Sequence, residues 1–311
     1  MGVYQKMSDF LSIGIPAYNE EESIARMLES VFSSTLWKET PAGMKEVIVC
    51  CNGCTDSTEA IVKRIMREHE EGAVKLLLTA KGKPKAWKEI LKRSDKRANV
   101  IYFADADVIL HRGALERLST AFRRERFDIV AARPRPVNSR GRTPAKLVAK
   151  YHGRFFRKDL WKAGVSGGLY GISRKFAESV NMPDNIIADD AFLQLSAKKV
   201  QYVSDAKVFF FQPRNLHGVV QQKVRWIAGR KQLEELGLVP PPSMVQKSLL
   251  QRLPSLKKFT TAEKIGGAIS YAMRGAAIIP AKRMLKSGNP SGWNKVHSTK
   301  HPKRTRTLRR K

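Results

Sequence analysis

Between Leu11 and Ala132 the sequence alternates short, largely apolar runs with longer segments whose apolar residues recur at helical spacing. Leu11–Ile15, Glu46–Cys51, Val74–Leu78, Val100–Phe103 and Ile129–Ala132 read as strands, because short, largely apolar runs bounded by turn residues suit buried strands. The segments between them carry apolar stripes at helical spacing: Ile24, Met27, Leu28, Val31 and Phe32; Ile61, Val62, Ile65 and Met66; Leu115, Leu118 and Phe122. Asn19 with Glu22 forms a capping-box pattern before the first helix, and Asp56 with Glu59 opens the second. This rhythm predicts an α/β fold, Rossmann-like, with a mainly parallel sheet and helices on both faces. Ligands of such sheets bind at the carboxyl ends of the strands, so the residues just after each strand come first in the search for chemistry.

Past Arg133 the rhythm breaks. A basic-aromatic helix is expected over Ala145–Trp161, then a Gly-rich turn at Gly164–Gly171 and an acidic turn at Ala188–Asp190. Strands near Tyr202 and at Lys207–Phe211 and a helix over His217–Leu236 follow. Pro240–Pro242 marks a boundary, dividing a catalytic domain at 1–239 from a basic extension at 240–311. That extension is expected to hold one helix, Thr261–Leu285, and a disordered tail over Lys295–Lys311.

Charge limits the partners. The net charge is +30. From Pro240 onward there are seventeen Lys or Arg residues against one acid, Glu263. Such a field attracts nucleic acid, an anionic membrane surface or phosphorylated substrates. No apolar run reaches the roughly 18–20 residues of a bilayer span. Ala268–Ala281 is too short and contains Arg274 and Pro280. With no secretory signal pattern at the start, a cytoplasmic catalytic body is expected. In the extension, Ile265, Ile269, Ala272, Met273, Ala276 and Ile279 share one helical side. That side suits either a peripheral membrane contact or packing on the protein's own core. Cys50, Cys51 and Cys54 lack a nearby fourth ligand, so they read as reduced thiols at a strand end and turn rather than a zinc site.

Four places carry reactive polar groups. Asp105-Ala106-Asp107 follows the strand Val100–Phe103, and two carboxylates so spaced can share Mg²⁺ or Mn²⁺ with diphosphate oxygens. Asp189-Asp190 is a repelling pair, which would raise one member toward the range of a general base. A helix N-terminus, where acids are favourable, is the plainer reading of that pair. Gln222, Arg225 and Trp226 fall on one helical face suited to a diphosphate and a sugar ring, with Val220, Val224 and Ile227 as a separate inward stripe. The turns Ile15–Glu21 and Asn52–Asp56 can line a nucleotide pocket.

Together, IPAYNEE, NGCTD, the Gly82-Lys83-Pro84-Lys85-Ala86 loop, the Asp105/Asp107 triplet, Asp189-Asp190 and Q-x-x-R-W at Gln222–Trp226 resemble the motifs of family 2 glycosyltransferases over about Leu11–Arg230. The resemblance implies a GT-A fold, a nucleotide-sugar donor, usually UDP-linked, and inversion at the anomeric carbon. It implies nucleotide contacts from Pro16, Tyr18, Glu20 and Asn52, with Lys83 and Arg225 on the donor side. Asp105 would lie near ribose and diphosphate, with Asp107 holding Mn²⁺ or Mg²⁺ beside it. Asp190 would be the base, and Gln222, Trp226 and Asp189 would meet the acceptor, a sugar or a lipid-linked sugar. Two departures stand out. Cys51-Asn52 replaces a common acidic pair, which weakens the case for uracil, and Ala188-Asp189-Asp190 replaces the Thr-Glu-Asp of processive synthases. Rival readings are a nucleic-acid-binding protein, although no recognition motif supports specific nucleic-acid binding, and a nucleotidyltransferase on the same fold.

Overall fold

The computed structural model describes residues 10–69, 72–137, 141–157, 164–238 and 259–287. Eight strands form one sheet in the order β3-β2-β1-β4-β7-β6-β8-β5. They are β1 (Leu11–Ala17), β2 (Lys45–Asn52), β3 (Val74–Thr79), β4 (Val100–Phe103), β5 (Ile109–Leu110), β6 (Ile129–Pro136), β7 (Tyr170–Ser173) and β8 (Val200–Phe210). The four strands β3, β2, β1 and β4 run parallel. Beyond them β7 is antiparallel to both β4 and β6, β8 is parallel to β6, and β5 closes the edge antiparallel to β8.

Ten helices among the described residues surround the sheet: α1 (Ile24–Phe32), α2 (Thr35–Glu39), α3 (Thr58–Glu68), α4 (Lys83–Arg93), α5 (Ala114–Arg124), α6 (Pro144–Arg157), α7 (Arg174–Ser179), α8 (Asp189–Ser196), α9 (Leu216–Glu235) and α10 (Thr261–Lys286). The sheet separates two apolar cores. On one side Ile13, Ile15, Val47 and Val49 pack with Ile24, Leu28, Leu115 and Leu118. On the other, Ile48, Ile101 and Ile172 pack with Trp87, Ile90 and Leu193. Each fully buried Ile or Leu contributes about 2 kcal/mol. Both faces of the central strands are therefore largely apolar, and the buried polar pair near their start is satisfied, with Ser12 Oγ donating to Glu46 at 2.7 Å.

Several local expectations are corrected. Asn19 and Glu22 do not form a capping box. Ser23 is the N-cap of α1 and makes no side-chain cap bond, while Asn19 stands at φ 54° and bonds instead to Thr55. Gly82–Ala86 is not a loop: Gly82 ends the turn at φ 143°, and Lys83 and Pro84 begin α4. Proline is accommodated in a first helical turn, because the amide it lacks has no helical partner there. Of the two readings of Asp189-Asp190, the helix N-terminus holds and the turn does not: the pair opens α8. The two expected strands around Tyr202 and Phe211 are one strand with a register shift opposite Ala132/Arg133. Helix α2 and the two-residue β5 carry too little sequence to be read from pattern.

Helix α10 packs on α6 and α9. Gly266 makes this possible, since a Cβ there would lie 2.0 Å from Leu147 O. The pair Gly266-Gly267 thus serves close helix packing, and α10 runs on through Pro280. Glu263 is buried against Arg154 at 2.9 Å and completes a capping box with Thr260. Ala281 joins Ile187 and Ala228 in a small third core. The outward side carries Ile265, Tyr271, Ile278 and Ile279, all exposed. Of the six residues expected to share one side, Ile265, Ala272, Ala276 and Ile279 face outward, and Ile269 and Met273 are half-buried. No described helix is long and apolar enough to cross a membrane. Trp161, the Pro240–Pro242 boundary and the Lys295–Lys311 tail lie outside the described residues.

Candidate active site

The strand order 3-2-1-4 places a topological switch between β1 and β4, because the connection from β1 goes to one side and β4 lies on the other. In open parallel sheets this is where a crevice opens beyond the carboxyl ends. A small cavity lies at that point, lined by Pro16 from the end of β1, by Phe103, Ala104 and Asp105 from the end of β4, and by Lys83, Trp87, Gly167 and Tyr170. Its floor is an aromatic stack. Phe103 lies between Trp87 and Tyr170 at centroid separations of 5.3 and 5.7 Å, and Trp87 Nε1 donates to Tyr170 Oη at 3.1 Å.

Charge converges above this floor. Lys83 Nζ bridges Asp105 Oδ1 at 2.8 Å and Asp189 Oδ2 at 3.0 Å. Asp189 is buried, whereas Lys83 and Asp105 keep 31% and 33% of their side chains exposed, so the cluster sits in the wall of an open cleft. Burial works against the Lys83 ammonium, but Asp105, Asp189 and Asp190 outweigh it and hold its pKa well above the usual lysine value. Burial likewise opposes the Asp105 carboxylate, yet Lys83, with help from Arg225, pulls its pKa below the ordinary carboxylate value. Asp190 goes the other way. Burial, reinforced by Asp189 and Asp105, raises its pKa against the opposing pull of Lys83 and Arg225. Carboxylates of opposite tendency in one cleft divide the roles of charge carrier and proton acceptor.

Gly167 ties the Asp190 carboxylate to the Asp105 backbone. Its N–H donates to Asp190 Oδ2 at 3.2 Å, and its carbonyl accepts from Asp105 N at 3.0 Å. A Cβ at this position would come within 2.9 Å of Asp105 Oδ2 and 3.0 Å of Lys83 Nζ, so a larger residue would push the Lys83–Asp105 pair aside. Asp190 Oδ1 also accepts from Ala191 N at 2.8 Å, the N-terminal amide arrangement of α8.

The expected site residues fall into three groups. Pro16, Lys83, Asp105, Asp189, Asp190 and Arg225 come together around the cleft. Asp107 is half-buried two residues beyond Asp105. Asn52 is buried beneath the pocket and serves the scaffold, with Nδ2 donating to Ala17 O at 2.7 Å and Oδ1 accepting from Gly82 N at 3.3 Å. Glu20 braces the start of α1, where its carboxylate accepts from Ser23 Oγ and its N–H donates to Thr58 Oγ1 at 2.6 Å. Tyr18 has the Lys81 ammonium 4.6 Å over its ring. On α9, Gln222 is half-buried and Trp226 is 49% exposed, so Trp226 is not a core residue. The side of α9 that is most buried runs through Val219, Lys223 and Ala228, while Val220, Val224 and Ile227 are only half-buried.

Sequence reasoning missed Trp87, Tyr170, Lys81 and the role of Gly167. Only Gly167 had a signal, as part of Ser166-Gly167-Gly168 in the Gly-rich stretch. A second basic cluster is also visible only in three dimensions. Burial and the nearby Arg214 depress the pKa values of Arg26 and Lys146, on α1 and α6.

Among curated proteins, the chain is 25% identical over 157 residues to the glycosyltransferase AglE of Haloferax volcanii, covering 50% of each. It is 25% identical over 232 residues to a poly-beta-1,6-N-acetyl-D-glucosamine synthase of Staphylococcus epidermidis, covering 70% of this chain and 54% of that protein. The chain thus spans about half the length of these relatives. Among solved structures it resembles the mannosyltransferase PcManGT of Pyrobaculum calidifontis, determined with GDP-Man and Mn²⁺. The TM-score is 0.58 at 18% identity, over 90% of this chain and 79% of that one. That likeness shows a shared GT-A fold. The model of glycosyl transferase family 2 matches residues 12–180, more than half of the chain and the whole strand–helix frame from β1 to α7. The chain therefore belongs to glycosyl transferase family 2.

Proposed function

We propose that the protein is an inverting glycosyltransferase that takes a sugar from a nucleotide-sugar, UDP-linked by preference, and passes it to a hydroxyl or phosphate of an acceptor. The observation that carries this reading is the Lys83 bridge between Asp105 and Asp189, with Asp190 alongside and raised in pKa. Donor-side and acceptor-side groups then meet at one point.

In this reading the nucleotide lies beyond β1 over Pro16 and Tyr18, with Asn52 and Glu20 holding the turns that form its bed. Lys83 and Arg225 face the diphosphate as fixed cations, which stabilise negative charge as it develops on the leaving group. Asp190 accepts the acceptor's proton, and its raised pKa brings it closer to the working pH of a base. Asp189, held by Lys83, orients the acceptor side, and Gln222 and exposed Trp226 offer a sugar platform.

The donor set also fits a divalent cation. Asp105 and Asp107 supply hard oxygen ligands at a strand end, as Mg²⁺ and Mn²⁺ require. Among the described residues no three His, Cys, Asp or Glu side chains are grouped to hold an ion alone. An ion completed by diphosphate oxygens matches that arrangement, with Asp107 as principal ligand because Asp105 is paired with Lys83. When bound, the ion neutralises charge on the departing diphosphate.

The outward apolar side of α10, flanked by Lys264, Lys282, Arg283 and Lys286, suits peripheral contact with an anionic membrane carrying a lipid-linked acceptor. Vesicle flotation tests the membrane part, which fails if anionic vesicles do not bind at low salt.

The decisive experiment is calorimetry with UDP, GDP and their sugars, with and without Mn²⁺, on the wild type and on Asp107→Ala. Metal-dependent binding of one nucleotide, lost in the variant, is expected. Absence of any nucleotide binding would overturn the assignment.

A further inference from the structure

The three cysteines fall on two sides of the sheet. Strand alternation points Cys50 into the core beside Trp87 and Ile90, where it contacts Thr79 Oγ1 at 3.6 Å. Cys51 points into the opposite core. Gly53, at φ 70°, then turns the chain back and brings Cys54 to the same side. Cys51 and Cys54 are thus a C-x-x-C pair on one side of the sheet, and Cys50 is excluded from it.

The two sulfurs differ in the way a reactive pair requires. Cys51 is buried, whereas Cys54 is partly exposed. The neighbouring Cys51 thiol, together with the Asn19 N–H at 3.4 Å, outweighs burial and lowers Cys54 to about 7. Cys51 is shifted upward by the Cys54 sulfur and by burial. A partly exposed thiolate backed by a buried partner is the arrangement of an attacking and a resolving thiol.

The pair also braces the turn that carries Tyr18. Cys54 Sγ contacts Ala17 O at 3.4 Å as well as Asn19 N, on either side of Tyr18. Asn19, held in the left-handed region, is locked to Thr55 from the same turn. Asn52, between the two cysteines, ties Ala17 to Gly82.

We propose that Cys51 and Cys54 are a thiol–disulfide site whose closure loosens the nucleotide pocket. The Cys54 thiolate attacks one sulfur of a small disulfide of the glutathione type, forming a mixed disulfide and releasing one thiol. Cys51 then gives up its proton and attacks the Cys54 sulfur, releasing the second thiol. Two protein thiols and one small disulfide become one protein disulfide and two small thiols. Closure brings the sulfurs to about 2.05 Å. This pulls Cys54 away from Ala17 and Asn19 and shifts the turn under Tyr18. The thiol chemistry stands on its own, and its effect on the pocket rests on the donor reading given above.

The test is to titrate the intact protein with oxidised glutathione, map thiols by maleimide labelling and peptide mass, and measure nucleotide affinity on the same samples. The expected result is a Cys51–Cys54 peptide lighter by two hydrogens, with Cys50 still labelled. Affinity should fall about tenfold and be restored by dithiothreitol. Cys51→Ala, which keeps the Cys54 contacts to Ala17 and Asn19, should stop at a mixed disulfide on Cys54 and form no protein disulfide. In the wild type, a persistent mixed disulfide, a link to Cys50, no link at all, or a closed pair with unchanged affinity would each overturn the proposal. Should the reduced protein bind no nucleotide, the donor reading and the proposed coupling fall together, while the thiol map still reports on the pair itself.

Discussion

Lys83, the first residue of α4, and Asp189, the first residue of α8, meet at 3.0 Å across the mouth of the cleft. Acid at a helix N-terminus is favourable and a base there is not. Lys83 is therefore held by the carboxylates opposite it rather than by its own helix. Replacing it with methionine leaves buried Asp189 without its cation. Lys83→Met is expected to cost about 3 kcal/mol, the lower end for a broken buried pair, since Lys83 itself is partly exposed. Urea unfolding measures this, and Lys83→Arg should recover most of the loss.

Asp190 sets a pH dependence. A base must be deprotonated, so kcat/KM falls as pH drops through its raised pKa, and the acid limb lies above the ordinary carboxylate range. Arg225 favours the ionised form, so Arg225→Gln should move that limb to still higher pH. Folding shows the converse sign. With the folded value above the unfolded one, the native state binds the extra proton, and stability from this group is lost as pH rises between the two values. Asp190→Asn should remove turnover while leaving nucleotide affinity close to wild type.

On α10, Gly266→Ala places a methyl 2.0 Å from Leu147 O. Overpacking of this kind costs about 2 kcal/mol. Calorimetric unfolding should show a lower midpoint for this variant, and Gly275→Ala on the same helix, where a Cβ meets nothing within 4 Å, should not lower it.

Trp226 separates function from packing. At 49% exposure its removal leaves little cavity, so Trp226→Ala should change stability by less than about 0.5 kcal/mol. Acceptor KM should rise with donor affinity unchanged. Steady-state kinetics with each substrate varied in turn measures both.

The parts of the fold legible in the sequence were those written locally. Ile13, Val47 and Ile101 lie in short, largely apolar runs because their strands are buried on both faces, and Asp105 stands out because it follows such a run. Lys83 was harder, since Gly-Lys-Pro reads as a loop when proline's tolerance in a first helical turn is set aside. The capping role assigned to Asn19 failed because Thr55, distant in sequence, competes for its amide. Nothing local tells Gly266 to accept Leu147, or Tyr170 to complete a stack with Phe103 and Trp87. Those contacts exist only once distant elements have met.

Gly167 offers its N–H to Asp190 and its carbonyl to Asp105. One backbone residue thereby couples the positions of the two acids, so a shift of this loop would move both together. Under the proposed function, the grip on the leaving group and the reach of the base would then slacken in concert, a mechanical interlock between breaking the donor and receiving the acceptor.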